Sequence, residues 1–416
     1  MKPGDLELYL PATYDNGFPH EYFRMLRRED PVHWQEVSDG AAEKHRIRKS
    51  FWVITKHADV FAISRNPHTF SSHEGLPFIF DLEGDDLTGQ RESMIGMDPP
   101  DHVKYRRLVQ RGFTPKMVRD IEPKIRAHAK RIVDDIAEKG SCEFVEELAS
   151  ELPLILICEL MGIPVEDRRK VFDWSNRLIA TDDEEFGAEG DGQVAAIELY
   201  GYANGLAEEK KANPDDTLIS KMIHGEVEGE KISEHQFNAF MVLLSVAGNE
   251  TTRNATSHIV RLLSDHPDEY QRLREDRSLL PTAIEECLRM APPVLQFRRT
   301  AMEDTEIRGV KIKKGDKLVM FYPSANRDEE VFEDSDRFDI ARDPNPHLTF
   351  GIGEHFCLGA NLAKMQLACI IGELLDRVPD LHVVETPRLL HSNFIDGIKE
   401  MQVEYTPASG CPVHSS

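Results

Sequence analysis

The stretch Phe350-Gly351-Ile352-Gly353-Glu354-His355-Phe356-Cys357-Leu358-Gly359 decides how the chain is read. One cysteine stands among glycines, and a helix-forming run begins just after it at Ala360. Gly351, Gly353 and Gly359 permit positive φ or close backbone approach where a side chain would obstruct a large planar ligand. Backbone N–H groups at a helix start favour negative charge, which would support a thiolate at Cys357. A single thiolate is poor for closed zinc binding, which takes four ligands. It suits haem iron, whose porphyrin brings four in-plane ligands of its own. A buried free cysteine in a glycine-rich turn is the plainer alternative.

The whole stretch matches, residue for residue, the Phe-Gly-x-Gly-x-His-x-Cys-x-Gly haem signature, and the chain resembles a bacterial cytochrome P-450. The resemblance implies one domain over residues 1–416, mainly α with a smaller β region (α+β), with haem between a long central helix and the cysteine loop. A β-rich lobe is expected from roughly 1–70 together with 294–322 and 381–405. A helical lobe is expected from roughly 98–290 and 360–378, with a disordered tail at 407–416. The cofactor implied is haem b, with Cys357 as axial iron ligand and O2 as co-substrate. With no flavin or pyridine-nucleotide motif visible, electrons are expected from NAD(P)H through a ferredoxin and its reductase.

Composition agrees with such a protein. Of 416 residues, 40% are hydrophobic, enough for a substantial core, and the net charge of −24 argues against nucleic acid or an anionic membrane as partner. Met1 to Pro11 holds no long apolar run, so neither a signal peptide nor a membrane span is expected. Six cysteines (142, 158, 287, 357, 369, 411) lack paired spacing, which fits reduced thiols in a cytoplasm. A metal site at Cys411 and His414 is not expected.

In chain order, Pro19–Arg28 reads as a short amphipathic helix, followed by strands at Val32–Trp34 and Phe51–Ile54 around a polar hairpin, then a helix at His57–Ser64. Between Phe70 and Met97 apolar residues lie in irregular sequence, a long loop of the kind that is usually functional. In the family this segment caps the substrate pocket. Asp98-Pro99-Pro100-Asp101 starts a helix with Asp101 as candidate N-cap, and His102 and Arg106 share one of its faces. Either they form a solvated basic patch or, as the family's His-x-x-x-Arg implies, they hydrogen-bond haem propionates. Basic residues continue through Arg111, Lys116, Arg119, Lys124, Arg126, Lys130 and Arg131, a local reversal of sign that could steer an acidic partner. The acidic, glycine-rich interval Thr181–Gly192 reads as a mobile hinge between helices, where the family carries a substrate lid.

The longest helix is expected from about Ser233 to Asp265, with Ser233 and Gln236 in a capping-box pattern. Inside it, Ala247-Gly248-Asn249-Glu250-Thr251-Thr252 breaks local rules. A mid-helix glycine costs about 1 kcal/mol relative to alanine, and a buried acid costs more unless paired. Such breaks mark either a kink with Glu250 reaching solvent or a functional site. By resemblance this is the oxygen-activating groove: Gly248 leaves room for dioxygen, and Glu250 and Thr251 form the acid–alcohol pair that delivers protons.

Pro281–Met290 is expected as a helix carrying Glu286 and Arg289 at pairing distance, with Glu285 as the alternative acid. The family's Glu-x-x-Arg is buried and joined by a later arginine, here expected as Arg337, and supports the cysteine loop without doing chemistry. After Pro292-Pro293 the chain enters a strand in which Arg299 aligns with a third propionate contact, Arg298 being its neighbour and competitor. His355 completes the expected propionate donors, and Phe350 and Gly351 the haem cradle. Val310–Tyr322 reads as a hairpin, Asn361–Arg377 as a helix, and Leu381–Thr386 and Met401–Tyr405 as strands.

Phe78, Ile79, Phe80, Val246, Ala247, Val294, Phe297 and Phe394 are the pocket candidates, none of them charged, which disfavours an ionic ligand. Ala-Gly-Asn-Glu-Thr-Thr-Arg-Asn-Ala (247–255), Phe-Arg-Arg-Thr-Ala (297–301) and Asp-Pro-Asn-Pro-His-Leu (343–348) are similar to actinobacterial members that oxidise the side-chain terminal methyl of cholesterol or cholest-4-en-3-one. Relatives acting on terpenes and branched lipids share these phrases. Phe394 stands where steroid-oxidising members often have tryptophan. The resemblance thus implies a haem-thiolate monooxygenase, a sterol or steroid being the expected substrate and a terpenoid or branched lipid the alternative. A haem-binding sensor without turnover is the alternative of another class.

Overall fold

A capping box begins the helix around which the protein is built. Ser233 Oγ accepts from the Gln236 N–H at 3.1 Å, and Gln236 Oε1 accepts from the Ser233 N–H at 3.1 Å. The computed structural model describes residues 1–408 apart from 111, 112, 180, 181, 187 and 189. Of the residues singled out above, Arg111, Thr181, Gly187, Glu189, Cys411 and His414 lie outside the described residues. Ten helices frame the site: α1 (His20–Glu29), α2 (His57–Ser64), α3 (Asp101–Val109), α4 (Pro115–Ala137), α5 (Glu151–Met161), α6 (Arg168–Ile179), α7 (Asp191–Ala212), α8 (Glu234–Asp265), α9 (Leu280–Met290) and α10 (Ala360–Arg377). The long helix α8 packs against α5, α6, α7, α9 and α10, while α10 lies along α4. Apolar residues at three- and four-residue spacing, among them Phe237, Phe240, Met241, Leu244, Ala255, Ile259 and Leu262, are buried in that contact.

The main sheet has strands β1 (Val32–Gln35), β2 (Phe51–Ile54), β3 (Phe70–Ser71), β5 (Gln296–Ala301) and β8 (Lys317–Phe321), in the order β1-β2-β8-β5-β3. Only the β2–β8 pair is parallel. Period-two alternation sorts its side chains. Phe51, Val53, Val319 and Phe321 pack into an N-terminal core with Tyr9 and Phe23, whereas Ile54, Leu318 and Met320 pack on the opposite face with Leu348. Among the described residues there are three further small sheets. They pair β4 (Ser141–Glu143) with β12 (Gln402–Glu404) and β9 (His382–Val383), β6 (Thr305–Ile307) with β7 (Val310–Ile312), and β10 (Arg388–Leu389) with β11 (Ile398–Glu400). Among the described residues no helix is long and apolar enough to cross a membrane.

Several local expectations need correction. Val310–Tyr322 is no hairpin: β7 turns back on β6, while β8 crosses into the main sheet between β2 and β5. The apolar β8 has two half-sheets to join, which a two-stranded ribbon could not offer it. Asp101 is the first residue of α3 rather than its cap, and Pro100 holds the cap position without a side-chain bond. Asp98 serves this corner instead, its carboxylate accepting from the Ser71 hydroxyl and, at 2.8 Å, from the Ser72 N–H. Within 70–97 the chain is not wholly irregular, because Gly84–Arg91 is helical. The described part of the expected hinge is tied down. Lys399 pairs with Asp183 at 2.9 Å and Glu185 at 3.1 Å, and Phe186 packs against Leu390 and Ile395.

Candidate active site

The cysteine loop is folded by its own backbone. Cys357 N–H donates to Phe350 O at 2.8 Å and Phe356 N–H donates to Gly353 O at 3.1 Å. Gly351 and Gly353 have φ of +69° and +76°, the left-handed region glycine tolerates best. Gly353 also abuts the end of α2, where an added Cβ would lie 2.6 Å from Ser64 O. Gly359 differs: its φ is −89° and a Cβ there would meet nothing within 4 Å. The protein's own packing does not require this glycine, and the open side it leaves lies beside the thiol.

Cys357 lines an apolar cavity of about 260 Å³ enclosed by α3, α5, α8, β5 and the cysteine loop. Burial pushes its thiol pKa up, against the pull of the Gly359 and Ala360 N–H groups and of Arg106. The Cys357 side chain is open to the cavity, and a cation bound there would add to the pull of the helix-start N–H groups and Arg106 towards the thiolate.

Four basic side chains converge on one flank of the cavity: His102, Arg106, Arg299 and His355. His102 is 1% exposed, and among the described residues neither of its ring nitrogens has a hydrogen-bond partner. Burial, then the Arg106 charge, lowers its pKa to about 4. Two orphaned donor or acceptor sites in a buried ring call for a polar group not supplied by the chain. Arg299, also buried, gives Nη1 to Arg298 O at 2.7 Å. His355 lies 4.3 Å from His102, centroid to centroid, with Nε2 3.2 Å from Ser72 Oγ. Arg106 donates to Glu354 O at 3.2 Å and Phe356 O at 2.7 Å, so it braces the loop as well as facing the cavity. These residues fit the acidic edge of a haem.

Across the cavity, Thr251 faces inward and its hydroxyl donates to Ala247 O at 2.8 Å, one turn back on α8. Gly248 lines the cavity too, yet an added Cβ there would strike Ile157 of α5 at 2.6 Å. A side chain at this position would therefore have to displace the tip of Ile157, a packing constraint separate from the space expected for dioxygen. Glu250 does not reach solvent and does not line the cavity; it is fully buried and paired with Arg253. Burial raises its pKa while Arg253 opposes the rise. Arg253 in turn donates to Asn176 Oδ1 on α6 at 3.0 Å.

Behind the loop, Glu286 and Arg289 form a bidentate pair at 2.7 and 2.8 Å with both side chains fully buried. The third member is Arg342, whose Nε meets Glu286 Oε1 at 3.2 Å. Arg337 was the expected residue, but its side chain points out and only its carbonyl accepts, from Arg289 at 3.2 Å. The turn at Asp339–Arg342 brings the later arginine back, a reversal that spacing does not reveal. Glu285 has a separate role, holding His347 at 2.8 Å and Lys364 at 2.9 Å on either side of the loop. Lys364 Nζ lies 5.6 Å from the Phe350 ring centroid.

Of the pocket candidates, Ala247, Val294 and Phe297 line the cavity. Phe78, Ile79, Phe80, Val246 and Phe394 do not. Ile79 is buried in the N-terminal core, with Phe80 packed against that core. Phe394 and Phe78 form a layer behind Phe297, with centroids 5.5 Å apart for Phe297–Phe394 and 5.4 Å for Phe78–Phe394. The wall is completed by residues sequence reading missed, notably Leu156 and Ile157 of α5 and Leu243 and Leu244 of α8. The uninterrupted run Leu154–Ile157 was a signal of burial, but not of burial against a cavity.

A family model described as cytochrome P450 matches residues 192–379. The chain is 42% identical over 408 residues to a steroid C26-monooxygenase of Rhodococcus jostii, covering 97% of this chain and 85% of that protein. It is 41% identical over 392 residues to a methyl-branched lipid omega-hydroxylase of Mycobacterium bovis, covering 92% and 90% respectively. Among solved structures it is similar to a Mycobacterium marinum cytochrome P450 in complex with pseudoionone. That match has a TM-score of 0.89 and 37% identity, over 97% of this chain and 100% of the other. Identity at this level across nearly the full length accompanies a cysteine loop, a long helix and a basic flank closed on one cavity, and the chain belongs to the cytochrome P450 family, monooxygenases that use haem and dioxygen with electrons from reductase partners.

Proposed function

We propose that the protein binds haem b through Cys357 and hydroxylates the terminal methyl of a long apolar substrate, a sterol or steroid side chain first and a methyl-branched lipid second. The observation that carries this reading is the convergence of Cys357, Thr251 and the unpartnered His102 on one apolar cavity. Names of the similar proteins, a steroid C26-monooxygenase and a lipid omega-hydroxylase, support a chain end as the site of reaction. The relative bound to pseudoionone favours a terpenoid as the alternative substrate.

Haem, when bound, supplies the iron at which dioxygen is reduced and a C–H bond is oxidised. Cys357 would ligate it, releasing the thiol proton to solvent, with the Gly359 and Ala360 N–H groups supporting the charge. His102, Arg299, His355 and Arg106 would hold the propionates, and Phe350 and Gly351 would line the cradle. The Thr251 hydroxyl is a donor on the cavity wall beside Gly248, and it would pass protons inward. Glu250, its pKa raised by burial, would resupply Thr251 when its carboxyl turns from Arg253. Leu244, Val294 and Phe297 give this part of the cavity an apolar wall, so shape would direct the chain end.

Electrons would arrive from NAD(P)H through a ferredoxin and its reductase in the cytoplasm. Lys116, Arg119, Lys124 and Arg131 are exposed on α4 and would attract an acidic carrier. A reduced carbon monoxide difference spectrum tests the first claim: absence of the thiolate-type Soret band removes it. Spin-shift titration with cholest-4-en-3-one, a methyl-branched fatty acid and a linear terpene ranks the substrates, and a response to the terpene alone rejects the steroid reading. Product formation with a reconstituted ferredoxin system separates enzyme from sensor.

A further inference from the structure

Phe297 and Arg299 of β5 face the cavity, so strand alternation turns Arg298 to the other side of the sheet, opposite Val319 of β8. There it is almost wholly buried and grips the segment 75–81 from behind. Its backbone N–H donates to Pro77 O at 2.8 Å, and Nη1 donates to Asp81 Oδ1 at 2.8 Å, to Phe80 O at 3.4 Å and to Phe78 O at 3.5 Å. Lys317 of β8, fully buried, pairs with the second oxygen of Asp81. Burial, then the neighbouring Arg298 charge, lowers Lys317 to about 8, so the shared carboxylate matters to both cations.

The segment is shaped to accept this grip. Gly75 has no room for a side chain, because a Cβ would lie 2.6 Å from Thr300 Oγ1 and 2.7 Å from Arg298 Cζ. Leu76, with its side chain completely buried, holds φ at +64°. A bulky residue keeps that conformation only where its surroundings determine it, and such positions gather at ligand clamps. Beyond it, Pro77 lines the cavity, and Phe78 stacks on Phe80 at 5.3 Å while meeting Phe394 edge-on at 5.4 Å. Phe394 backs Phe297, which lines the cavity.

We propose that Arg298, locked to Asp81, is a positioning residue for substrate selection: it holds Gly75–Asp81 on the sheet so that Pro77 and the aromatic layer behind Phe297 fix which carbon of a long apolar substrate reaches the reaction centre. The inference rests on the cavity being the haem and substrate site, and it adds a determinant outside the cavity wall. Arg298 is not among the residues that line the cavity.

The test compares the wild type with Arg298→Leu, Arg298→Lys and Gly75→Ala, each loaded with haem. A carbon monoxide spectrum is taken first, then cholest-4-en-3-one spin-shift titration and the ratio of terminal to internal hydroxylation. Arg298→Leu is expected to weaken the apparent Kd about tenfold and move product from the terminal methyl to internal carbons, with Arg298→Lys restoring part of both. Gly75→Ala, which presses on the guanidinium without changing charge, is expected to shift the product ratio in the same direction. It decides the matter if Arg298→Leu does not load haem. A wild type without the thiolate Soret band overturns the site reading itself. Variants with wild-type spectra, Kd and product ratio overturn the role of Arg298 alone.

Discussion

Glu250 and Arg253, one turn apart on α8, close a buried ion pair on the side of the helix away from the cavity that Thr251 faces. The two members of the proposed acid–alcohol pair are neighbours in sequence and yet point in different directions. Proton delivery from the carboxyl to the hydroxyl then requires the ion pair to open or an intervening water to bridge it.

Glu250→Gln is expected to lower product formation about 100-fold, the lower end of what a positioned acid contributes, while the carbon monoxide spectrum and substrate Kd stay as in the wild type. Thr251→Ala should instead raise NAD(P)H consumption relative to product. Tight coupling in Thr251→Ala would remove the proton-relay role and leave the iron site untouched.

Arg253→Met leaves a buried carboxyl without its partner, and loss of one side of a buried pair costs about 3–5 kcal/mol. Thermal or denaturant unfolding of the haem-loaded protein measures this. A loss below about 1 kcal/mol would mean that Glu250 is already protonated in the folded state.

Arg342 and Arg337 make a sharp contrast. Arg342→Ala removes one of the hydrogen bonds to the buried Glu286, which keeps Arg289, and should cost about 2 kcal/mol, with poorer haem retention. Arg337→Ala changes an exposed side chain and should stay within about 0.5 kcal/mol. Reversal of that order would restore the assignment suggested by spacing.

Two glycines of the cysteine loop should behave differently. Gly353→Ala meets both a φ of +76° and the Ser64 carbonyl, so a loss of about 2–3 kcal/mol is expected whether or not haem is present. Gly359→Ala should leave the haem-free protein unchanged, since nothing in the chain opposes the methyl group, but should reduce haem loading. Equal loading of Gly359→Ala and the wild type would show that this side of the loop lies clear of the cofactor.

His102 predicts a pH dependence. Its folded pKa lies near 4 and its ordinary value is 6.5, so between them the unfolded chain carries a proton that the folded chain does not. Stability of the haem-free protein therefore falls as pH drops from 6.5 towards 4, by on the order of 3 kcal/mol from this group. Propionates beside the ring would favour its charged form and shrink the loss. Urea unfolding at pH 7 and 4.5, with His102→Gln subtracted, tests this. The same loss with and without haem would place the propionates elsewhere.

Local signals along the chain were enough for many of the elements and for naming the candidate site residues. The helix Glu234–Asp265 follows from its capping box and apolar spacing, which act within a few residues, whereas His57–Ser64 has no side-chain cap of its own and its first N–H donates to the distant Asp328 at 2.9 Å. The cysteine loop was legible because its glycines, histidine and thiol are contiguous, so their joint meaning needs no distant partner. Relationships across the chain could not be read that way. Arg342 replaces Arg337 because a turn decides which guanidinium reaches Glu286. Ile79 and Phe80 leave the pocket because Arg298 and Lys317 draw Asp81 to the outer face of the sheet, taking the residues before it along. Gly359 and His102 are the converse. The loop signature and the His-x-x-x-Arg helix name them, but only the folded chain leaves one without a steric neighbour and the other without a hydrogen-bond partner. At Cys357 the sequence supplied the sulfur and its turn. Only the fold brings Arg106 to that sulfur and opens it to the cavity that Thr251 and His102 also line.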